Sequence, residues 1–281
     1  MGVRCVLALV VLAVTVMNVP DGIRLLAASG FSGLGVAAVS PALGAKVGVA
    51  HPVVVTLTGT VPDRPAVERA LDIRSEPAVS GRYEWLDDNV VQWIPDQFWP
   101  AHSTVALSMG GFKTNFQTGP KVIGTANISD HTFSVSVDGV EAGPPSSLPS
   151  PHHRPFWGLP GVFPASMGRP EYPTPVGMYT VLAKERSVLM DSSSVGIPVD
   201  DPDGYKLDVE YAVRITDRGL FVHSAPWAEN ALGHENVSHG CINLSPTDAE
   251  WYFNTVNVGD PVIVLENSVE IPRSVTPGPR P

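Results

Sequence analysis

Ser238-His239-Gly240-Cys241-Ile242-Asn243 brings a cysteine, a histidine and a glycine together within six residues. A thiol of ordinary pKa is only a few per cent ionised at neutral pH, so a nucleophilic cysteine needs a base nearby. His239 is one candidate, and His223, which lies 16 residues before His239, is the other. Gly240 lets the backbone form a tight turn in which the amides of Gly240 and Cys241 could bind an oxyanion. We interpret Cys241 as a nucleophile for acyl transfer, and spacing alone does not choose its base.

The N-terminus resembles an export signal. Arg4 precedes an apolar stretch from Cys5 to Val19, and small residues follow at positions 27–29. That stretch has 15 residues, fewer than the roughly 20 that span a bilayer. We therefore expect residues 1–29 to be a cleaved signal peptide, with an uncleaved membrane anchor as the alternative. The mature protein would be exported to the periplasm or cell wall.

Removal of the signal would leave Cys241 as the only cysteine of the mature chain. Compartments outside the cytoplasm are oxidising, and an unpaired thiol there is a liability unless it has a function. Composition alone favours a buried, inert cysteine. The neighbouring His239 and Gly240 favour catalysis instead.

The composition predicts a mostly β protein. The chain has 281 residues with 28 prolines, 26 glycines and 16% charged residues, a balance typical of many turns and strands. This length is enough for about two domains. The formal net charge is -10, whereas a nucleic-acid-binding surface needs clustered Lys and Arg. Nucleic acid is therefore not an expected partner.

Residues 30–39 form a linker of small residues, and residues 40–120 form a first β domain. Short β-branched or aromatic runs are separated there by Pro, Gly, Asp and Asn, and this spacing predicts a small sandwich. No constellation of His, Cys or paired carboxylates stands out in it, so we assign this domain to spacing, substrate contact or stability. The predicted strands are Val53–Thr58, Tyr83–Trp85, Val90–Ile94 and Thr104–Ser108.

Residues 121–267 form a second domain, in which alternating apolar residues lead into the hairpin signal Asp138-Gly139. One clear helix begins after Ser245, with Pro246 at its first position and Asp248 placed to complete a capping box. We expect long loops between the other strands and disorder in the Pro-rich tail, residues 268–281. Those other strands are Met178–Leu182, Leu220–His223 and Val262–Leu265.

The segment from Ala142 to Pro164 contains seven prolines and is predicted to be a long, irregular loop. Loops of that length inside a domain are usually functional lids or disordered segments. Phe156 and Trp157 favour a lid that contacts substrate, whereas the sequence assigns no role to His152 and His153.

The second domain resembles the L,D-transpeptidase (YkuD) family, in the subgroup with an N-terminal immunoglobulin-like domain. That family carries a histidine, then Ser/Thr-His-Gly-Cys followed by an apolar residue and Asn or Arg. Here His223 precedes Ser238–Asn243, and Thr174-Pro175-Val176-Gly177 is similar to the family's Thr-Pro-x-Gly segment. Met190–Ser193 and Gly204-Tyr205 agree as well. The resemblance implies a small immunoglobulin-like sandwich followed by a β-rich catalytic domain.

The resemblance also implies a role for each site residue. Cys241 would be the nucleophile and His223 the general base, oriented by the backbone carbonyl of Ser224. His239 would line the donor site, and Gly240 would belong to the oxyanion hole. The residues that would position the substrate are Tyr205, Met190, Trp227, Ser238 and Asn243. For Met190 and Trp227, ordinary packing is an equal alternative.

The reaction implied is a transpeptidation of peptidoglycan stem peptides without cofactor or metal. Cys241 would attack the carbonyl between the third, diamino-acid residue of a tetrapeptide stem and its terminal D-alanine. D-Alanine would leave, and an amine of a second stem would resolve the thioester into a 3→3 cross-link in cell-wall biogenesis. Carbapenems would acylate the same cysteine, and any membrane association would come from the N-terminus.

Three alternatives remain. His223, His234, His239 and Cys241 fall within 19 positions and could bind zinc, although their spacing lacks a paired-ligand pattern and zinc would quench the thiol. A non-catalytic wall-binding module would have no need of the histidine and cysteine. A hydrolase that uses water as acceptor shares the acyl-enzyme, so the sequence does not separate it from a transpeptidase.

Overall fold

The computed structural model describes residues 34–144 and 159–266. Within them the chain is mostly β, as the sequence predicts. Three expectations concern residues outside the described ones: the signal peptide at 1–29, the two histidines and two aromatic residues at 145–158, and the tail at 268–281. No helix in the described part is long and apolar enough to cross a membrane.

The first domain is a sandwich of two four-stranded sheets. The sheets enclose a core that includes Trp93, Trp99 and Phe116, in which the two indole rings stack with centroids 5.0 Å apart. Its strands are β1 (Val36–Ser40), β2 (Lys46–Val47), β3 (Val53–Leu57), β4 (Asp72–Arg74), β5 (Gly81–Trp85), β6 (Val90–Pro95), β7 (Thr104–Met109) and β8 (Phe112–Thr118). The sheet orders are β1-β3-β6-β5 and β2-β8-β7-β4. The four predicted strands are therefore confirmed as β3, β5, β6 and β7.

A short helix, α1 (Arg64–Ala70), joins β3 to β4 and was not predicted. Asp63 caps it by accepting a hydrogen bond of 3.0 Å from the Ala66 amide, and Pro65 lies in its first turn. The helix buries Val67 in the sandwich core. The capping residues are visible in the sequence, but seven residues are too few for an apolar period to reveal a helix.

The described residues of the second domain contain two sheets and one α-helix, α2 (Pro246–Thr255). One sheet has the order β11-β10-β9-β18-β13 with β12 paired to β10, and the other has the order β14-β15-β16-β17. These strands are β9 (Val122–Asn127), β10 (Thr132–Val137), β11 (Val140–Glu141), β12 (Val162–Pro164), β13 (Gly177–Thr180), β14 (Ala183–Asp191), β15 (Lys206–Arg214), β16 (Phe221–Ser224), β17 (Ile242–Leu244) and β18 (Pro261–Leu265).

The predicted hairpin turn and the predicted helix start are both confirmed. Asp138 and Gly139 have φ values of 53° and 85°, which is the backbone that a two-residue turn between β10 and β11 requires. The Ser245 hydroxyl accepts a hydrogen bond of 3.2 Å from the Asp248 amide and donates one of 2.7 Å to the Asp248 carboxyl. Both features depend on neighbouring residues alone.

Helix α2 contacts both sheets of the second domain. Its Tyr252 meets the edge of Phe133 on β10 with ring centroids 4.8 Å apart. Its Phe253 meets Tyr211 on β15 at 5.8 Å. The helix therefore fixes the sheet that contains β16 and β17 against the rest of the domain.

Three predictions of irregular structure differ from the structure. The predicted linker at residues 30–39 contains most of β1, which pairs with β3. The region between β13 and β16 contains a hairpin of two nine-residue strands, β14 and β15, rather than a long loop. Every residue of the edge strand β14 is partly or fully exposed, so the strand lacks the apolar alternation of a half-buried strand. The predicted loop 142–164 also ends in regular structure, because β12 pairs with β10 through buried residues such as Phe163.

Backbone hydrogen bonds join the two domains at Gly48 and Ala50. The Gly48 amide donates to the Val258 carbonyl and the Ala50 amide to the Gly259 carbonyl, each at 2.8 Å. The carboxyl of Asp260, which is fully buried, accepts a hydrogen bond of 3.3 Å from the Val49 amide. Burial raises the pKa of this carboxyl from 3.8 to about 6. An acidic group therefore lies at the domain junction.

Replacement Asp260→Asn is expected to flatten the pH dependence of stability. Between the unfolded pKa of 3.8 and the folded pKa of about 6, the native state holds a proton that the unfolded chain has released. The wild-type free energy of unfolding should therefore fall, by up to roughly 3 kcal/mol from this group, as the pH rises through this window. Urea unfolding at several pH values measures it. The exposed Asp208→Asn is the control, and equal slopes for wild type and Asp260→Asn would contradict the prediction.

Candidate active site

The parallel pairing of β16 with β17 brings the histidine and the cysteine to one face of the sheet. In this register His223 lies beside Asn243 and Val222 beside Ile242. Side chains two residues apart on extended backbone point to the same face, and Cys241 is two residues before Asn243. The thiol and the His223 imidazole therefore share a face, although 18 positions separate them in the chain.

His223 is held in one tautomer by its own neighbour. Its Nδ1 lies 2.8 Å from the carbonyl oxygen of Ser224, and a carbonyl can only accept, so Nδ1 carries the proton. Nε2 is then left with its lone pair. The ring is 3% exposed, and burial lowers its pKa from 6.5 to about 4. At neutral pH His223 is an uncharged base.

The thiol of Cys241 is also uncharged at rest. Burial raises its pKa to about 11, an effect that a hydrogen bond with the Phe221 backbone partly offsets. Sγ donates to the Gly219 carbonyl at 3.6 Å, which stabilises the protonated form. The site therefore holds a neutral thiol and a neutral imidazole rather than a preformed ion pair.

The turn before the cysteine depends on Gly240 and Ser238. Gly240 has a φ of 117°, which L side chains rarely adopt, whereas a Cβ there would meet no atom closer than 3.8 Å. The glycine is therefore required for its backbone angle rather than for space. Its amide donates to Ser238 Oγ at 3.0 Å, and Ser238 Oγ donates to the Cys241 carbonyl at 2.6 Å. This differs from the expectation that the Gly240 amide is directed at an oxyanion.

His239 is fixed by an arginine and an aspartate. Nη2 of Arg169 donates to its Nε2 at 3.1 Å, and the charge and backbone of Asp203 act on the pKa of the ring in the opposite direction to Arg169. Tyr172 and Tyr205 flank the ring, with centroids 4.8 and 5.0 Å away. Burial and then the positive charge of Arg169 lower the pKa of His239. Nε2 of His239 is therefore occupied by Arg169, in contrast to Nε2 of His223.

Arg169 also joins two loops over the site. It forms an ion pair with Asp203, which lies between β14 and β15, and its guanidinium lies 4.8 Å from the Tyr172 ring. The Tyr172 hydroxyl donates to the Asp203 carboxyl at 3.3 Å. The sequence analysis missed all three residues. Opposite charge was the only signal, and 34 positions separate the arginine from the aspartate.

The chain matches known families over both domains. Residues 156–264 match the L,D-transpeptidase catalytic domain, and residues 32–111 match a bacterial Ig domain. A probable L,D-transpeptidase 3 from Mycobacterium tuberculosis is 64% identical over 265 residues, which cover 93% of this chain and 98% of that protein. The chain belongs to the L,D-transpeptidase family. The resemblance found in the sequence is therefore confirmed, as is the fold class with its immunoglobulin-like domain.

Solved structures of L,D-transpeptidases share the fold. L,D-transpeptidase 3 from Mycobacterium tuberculosis in complex with a faropenem-derived adduct has a TM-score of 0.73 and 67% identity, covering 82% of this chain and 98% of that chain. The LD transpeptidase LdtMt1 in complex with imipenem has a TM-score of 0.71 and 49% identity, covering 82% of this chain and 99% of that chain.

Three other predicted site residues of this L,D-transpeptidase lie close to the pair. Asn243 on β17 is buried beside His223 of β16. Trp227 is 56% exposed, and the centroid of its ring lies 6.0 Å from that of the His223 ring. Tyr205 is partly buried. Its pKa is raised first by burial and to a smaller extent by the negative charge of an ionised Cys241. Asn243 and Trp227 are therefore neighbours of His223, and Tyr205 is close enough to Cys241 to respond to its charge.

Met190 lies further along the hairpin, near the end of β14, where it pairs with Leu207. No ring contact or hydrogen bond links its side chain to the Cys241 region in the described part of the chain. In residues 34–144 and 159–266, no group of three or more His, Cys, Asp or Glu side chains is arranged to hold a metal ion.

The thiol of this L,D-transpeptidase is expected to ionise only in alkaline solution. Its raised pKa predicts that thiolate absorbance, measured as wild type minus Cys241→Ala, shows no step below about pH 9. A step near neutral pH would show an ion pair with His223 and contradict the neutral resting state.

Replacement Arg169→Met is expected to raise the pKa of His239. The substitution removes a positive charge that lowers this pKa and leaves the negative charge of Asp203 unpaired. Imidazole titration by nuclear magnetic resonance measures the change. Arg74→Met, in the first domain, is the control, and an unchanged or lower His239 pKa in Arg169→Met would refute the assignment.

Proposed function

We propose that this chain is a peptidoglycan L,D-transpeptidase that forms 3→3 cross-links through a thioester at Cys241. The donor is a tetrapeptide stem, which loses its terminal D-alanine. The observation that carries the proposal is the β16–β17 register, which sets the thiol and the His223 imidazole on one face. Membership of the family supports the class of reaction.

Acylation begins with both groups neutral. Sγ attacks the carbonyl carbon between the third stem residue and D-alanine while its proton passes to Nε2 of His223, whose Nδ1 stays bound to Ser224. The carbonyl electron pair moves to oxygen and forms an oxyanion. Its return breaks the C–N bond, and the proton on His223 passes to the departing amine. The products are a thioester and free D-alanine.

Deacylation uses the same groups in reverse. An amine of a second stem attacks the thioester carbonyl and gives a proton to His223, and Cys241 leaves as a thiolate that recovers this proton. Water in place of the amine would give hydrolysis instead. The acceptor therefore decides between cross-linking and hydrolysis.

The rings next to the two histidines suit a peptide donor. His239 is neutral and lies between two tyrosine rings, and the exposed ring of Trp227 lies on the side of His223. We assign Tyr205, Trp227, Ser238 and Asn243 to this donor site. Met190 stays a prediction, since it lies at the hairpin end.

We also propose that β-lactams of the carbapenem class acylate Cys241. The solved complexes of relatives with imipenem and with a faropenem-derived adduct support this. The N-terminal sequence supports export to the periplasm or cell wall, with membrane association only through residues 1–29. A peptidoglycan substrate requires that location.

A disaccharide-tetrapeptide assay with product mass spectrometry tests the proposal. Wild type should release D-alanine and form a 3→3 dimer, and imipenem should add one adduct to the intact protein. Cys241→Ala should abolish all three results, and His223→Ala should slow turnover by about 10²- to 10⁴-fold. His102→Ala, an exposed histidine of the first domain, is the control.

Two outcomes would refute parts of this function. An adduct on another residue, or none on wild type, would refute Cys241 as the nucleophile. D-Alanine release with only tripeptide product would identify a hydrolase and refute cross-linking.

A further inference from the structure

Two hydroxyl groups hold the backbone around Cys241. Ser238 Oγ binds the Gly240 amide and the Cys241 carbonyl. Thr174 Oγ1 donates to the Gly240 carbonyl at 2.6 Å and accepts from the Gly168 amide at 2.8 Å. The carbonyl of the Gly240–Cys241 peptide is therefore held by Thr174, which lies 66 positions away in the chain.

The Thr174 hydroxyl is itself rigidly placed. Its residue is 2% exposed and lies between Pro173 and Pro175, which restrict the backbone on both sides. The chain at Gly168 packs so closely that a Cβ there would lie 2.1 Å from the Tyr172 carbonyl oxygen. The single hydroxyl proton goes to the Gly240 carbonyl, because the Gly168 amide is already a donor.

Because the peptide group is planar, the hydrogen bond from Thr174 to the Gly240 carbonyl also sets the direction of the Cys241 N–H. In a trans peptide the C=O of Gly240 and the N–H of Cys241 point to opposite sides. A carbonyl held toward the buried Thr174 therefore directs the Cys241 N–H away from it. Because the Gly240 amide is bound to Ser238, the Cys241 amide is the one of these two amides that is available to a developing oxyanion.

We propose that Thr174 is a positioning residue of the acyl-transfer reaction, whose hydroxyl fixes the Gly240–Cys241 peptide so that the Cys241 amide stabilises the oxyanion. This inference rests on the proposed function. Loss of one oxyanion donor costs roughly 10²- to 10³-fold in rate. Misdirection of the donor should cost somewhat less, about 10- to 100-fold.

The variant Thr174→Val tests the proposal, because it keeps the shape of the side chain and removes its hydroxyl. We expect the rate of acylation by imipenem, followed by intact mass, to fall about 10- to 100-fold. With the tetrapeptide donor, kcat should fall and KM should change little, since the oxyanion exists only near the transition state. Thr174→Ser, which restores the hydroxyl, should acylate at close to the wild-type rate.

Alkylation by iodoacetamide separates positioning from general damage. Iodoacetamide reacts at a saturated carbon and forms no oxyanion. It should therefore alkylate Cys241 of the Thr174→Val variant at the wild-type rate. Thr118→Val is the matched control. Thr118 is also 2% exposed, and its hydroxyl donates to the Pro100 carbonyl at 2.6 Å and accepts from the Ser103 amide at 2.9 Å, in the first domain. It should leave acylation unchanged.

Three results would overturn the proposal. The first is that imipenem acylates Thr174→Val at the wild-type rate, and the second is that the rates of acylation and alkylation fall equally in this variant. The third is that Thr174→Ser is acylated as slowly as Thr174→Val. If Thr174→Val does not fold, Thr174→Ala, which leaves room for water, is measured by the same ratio of acylation to alkylation. Failure of wild-type protein to be acylated at Cys241 would instead refute the proposed function.

Discussion

The parallel pairing of β16 with β17 is the constraint on which the site depends. Parallel strands cannot be joined by a tight hairpin, so the chain makes a long crossover between Ser224 and Ile242. The end of that crossover is the turn that presents Cys241. On the edge of β17 that faces away from β16, the backbones of Ser166 and Asn243 form two hydrogen bonds, at 2.8 and 3.1 Å. The register that sets the thiol and the imidazole on one face is thus fixed from both sides of β17.

Burial keeps the site uncharged until a substrate arrives. It lowers the pKa of His223 and raises the pKa of Cys241, because a charge on either group would lose its hydration. His239 is kept neutral by burial and by Arg169. A protonated thiol resists oxidation better than a thiolate does. The raised pKa of Cys241 therefore keeps its thiol in the form that resists oxidation.

Local signals explain which parts of the fold were predictable. Asp138-Gly139 supplies the positive φ values of its turn, and Ser245 caps its own helix, so both predictions needed only neighbouring residues. The hairpin of β14 and β15 was missed because the edge strand β14 is partly or fully exposed along its whole length. Its sequence therefore has no alternation of apolar and polar residues. Helix α1 was missed because it is too short to show a period.

The sequence by itself determined the chemical groups: a cysteine in a glycine-containing turn, two histidines as candidate bases, and a motif that indicated the family. Only the tertiary structure decided how these groups are used. It showed that Nε2 of His239 accepts a hydrogen bond from Arg169, and that Thr174 holds the peptide before Cys241. Protonation and direction depend on burial and on contacts between distant residues, and neither exists until the chain is folded.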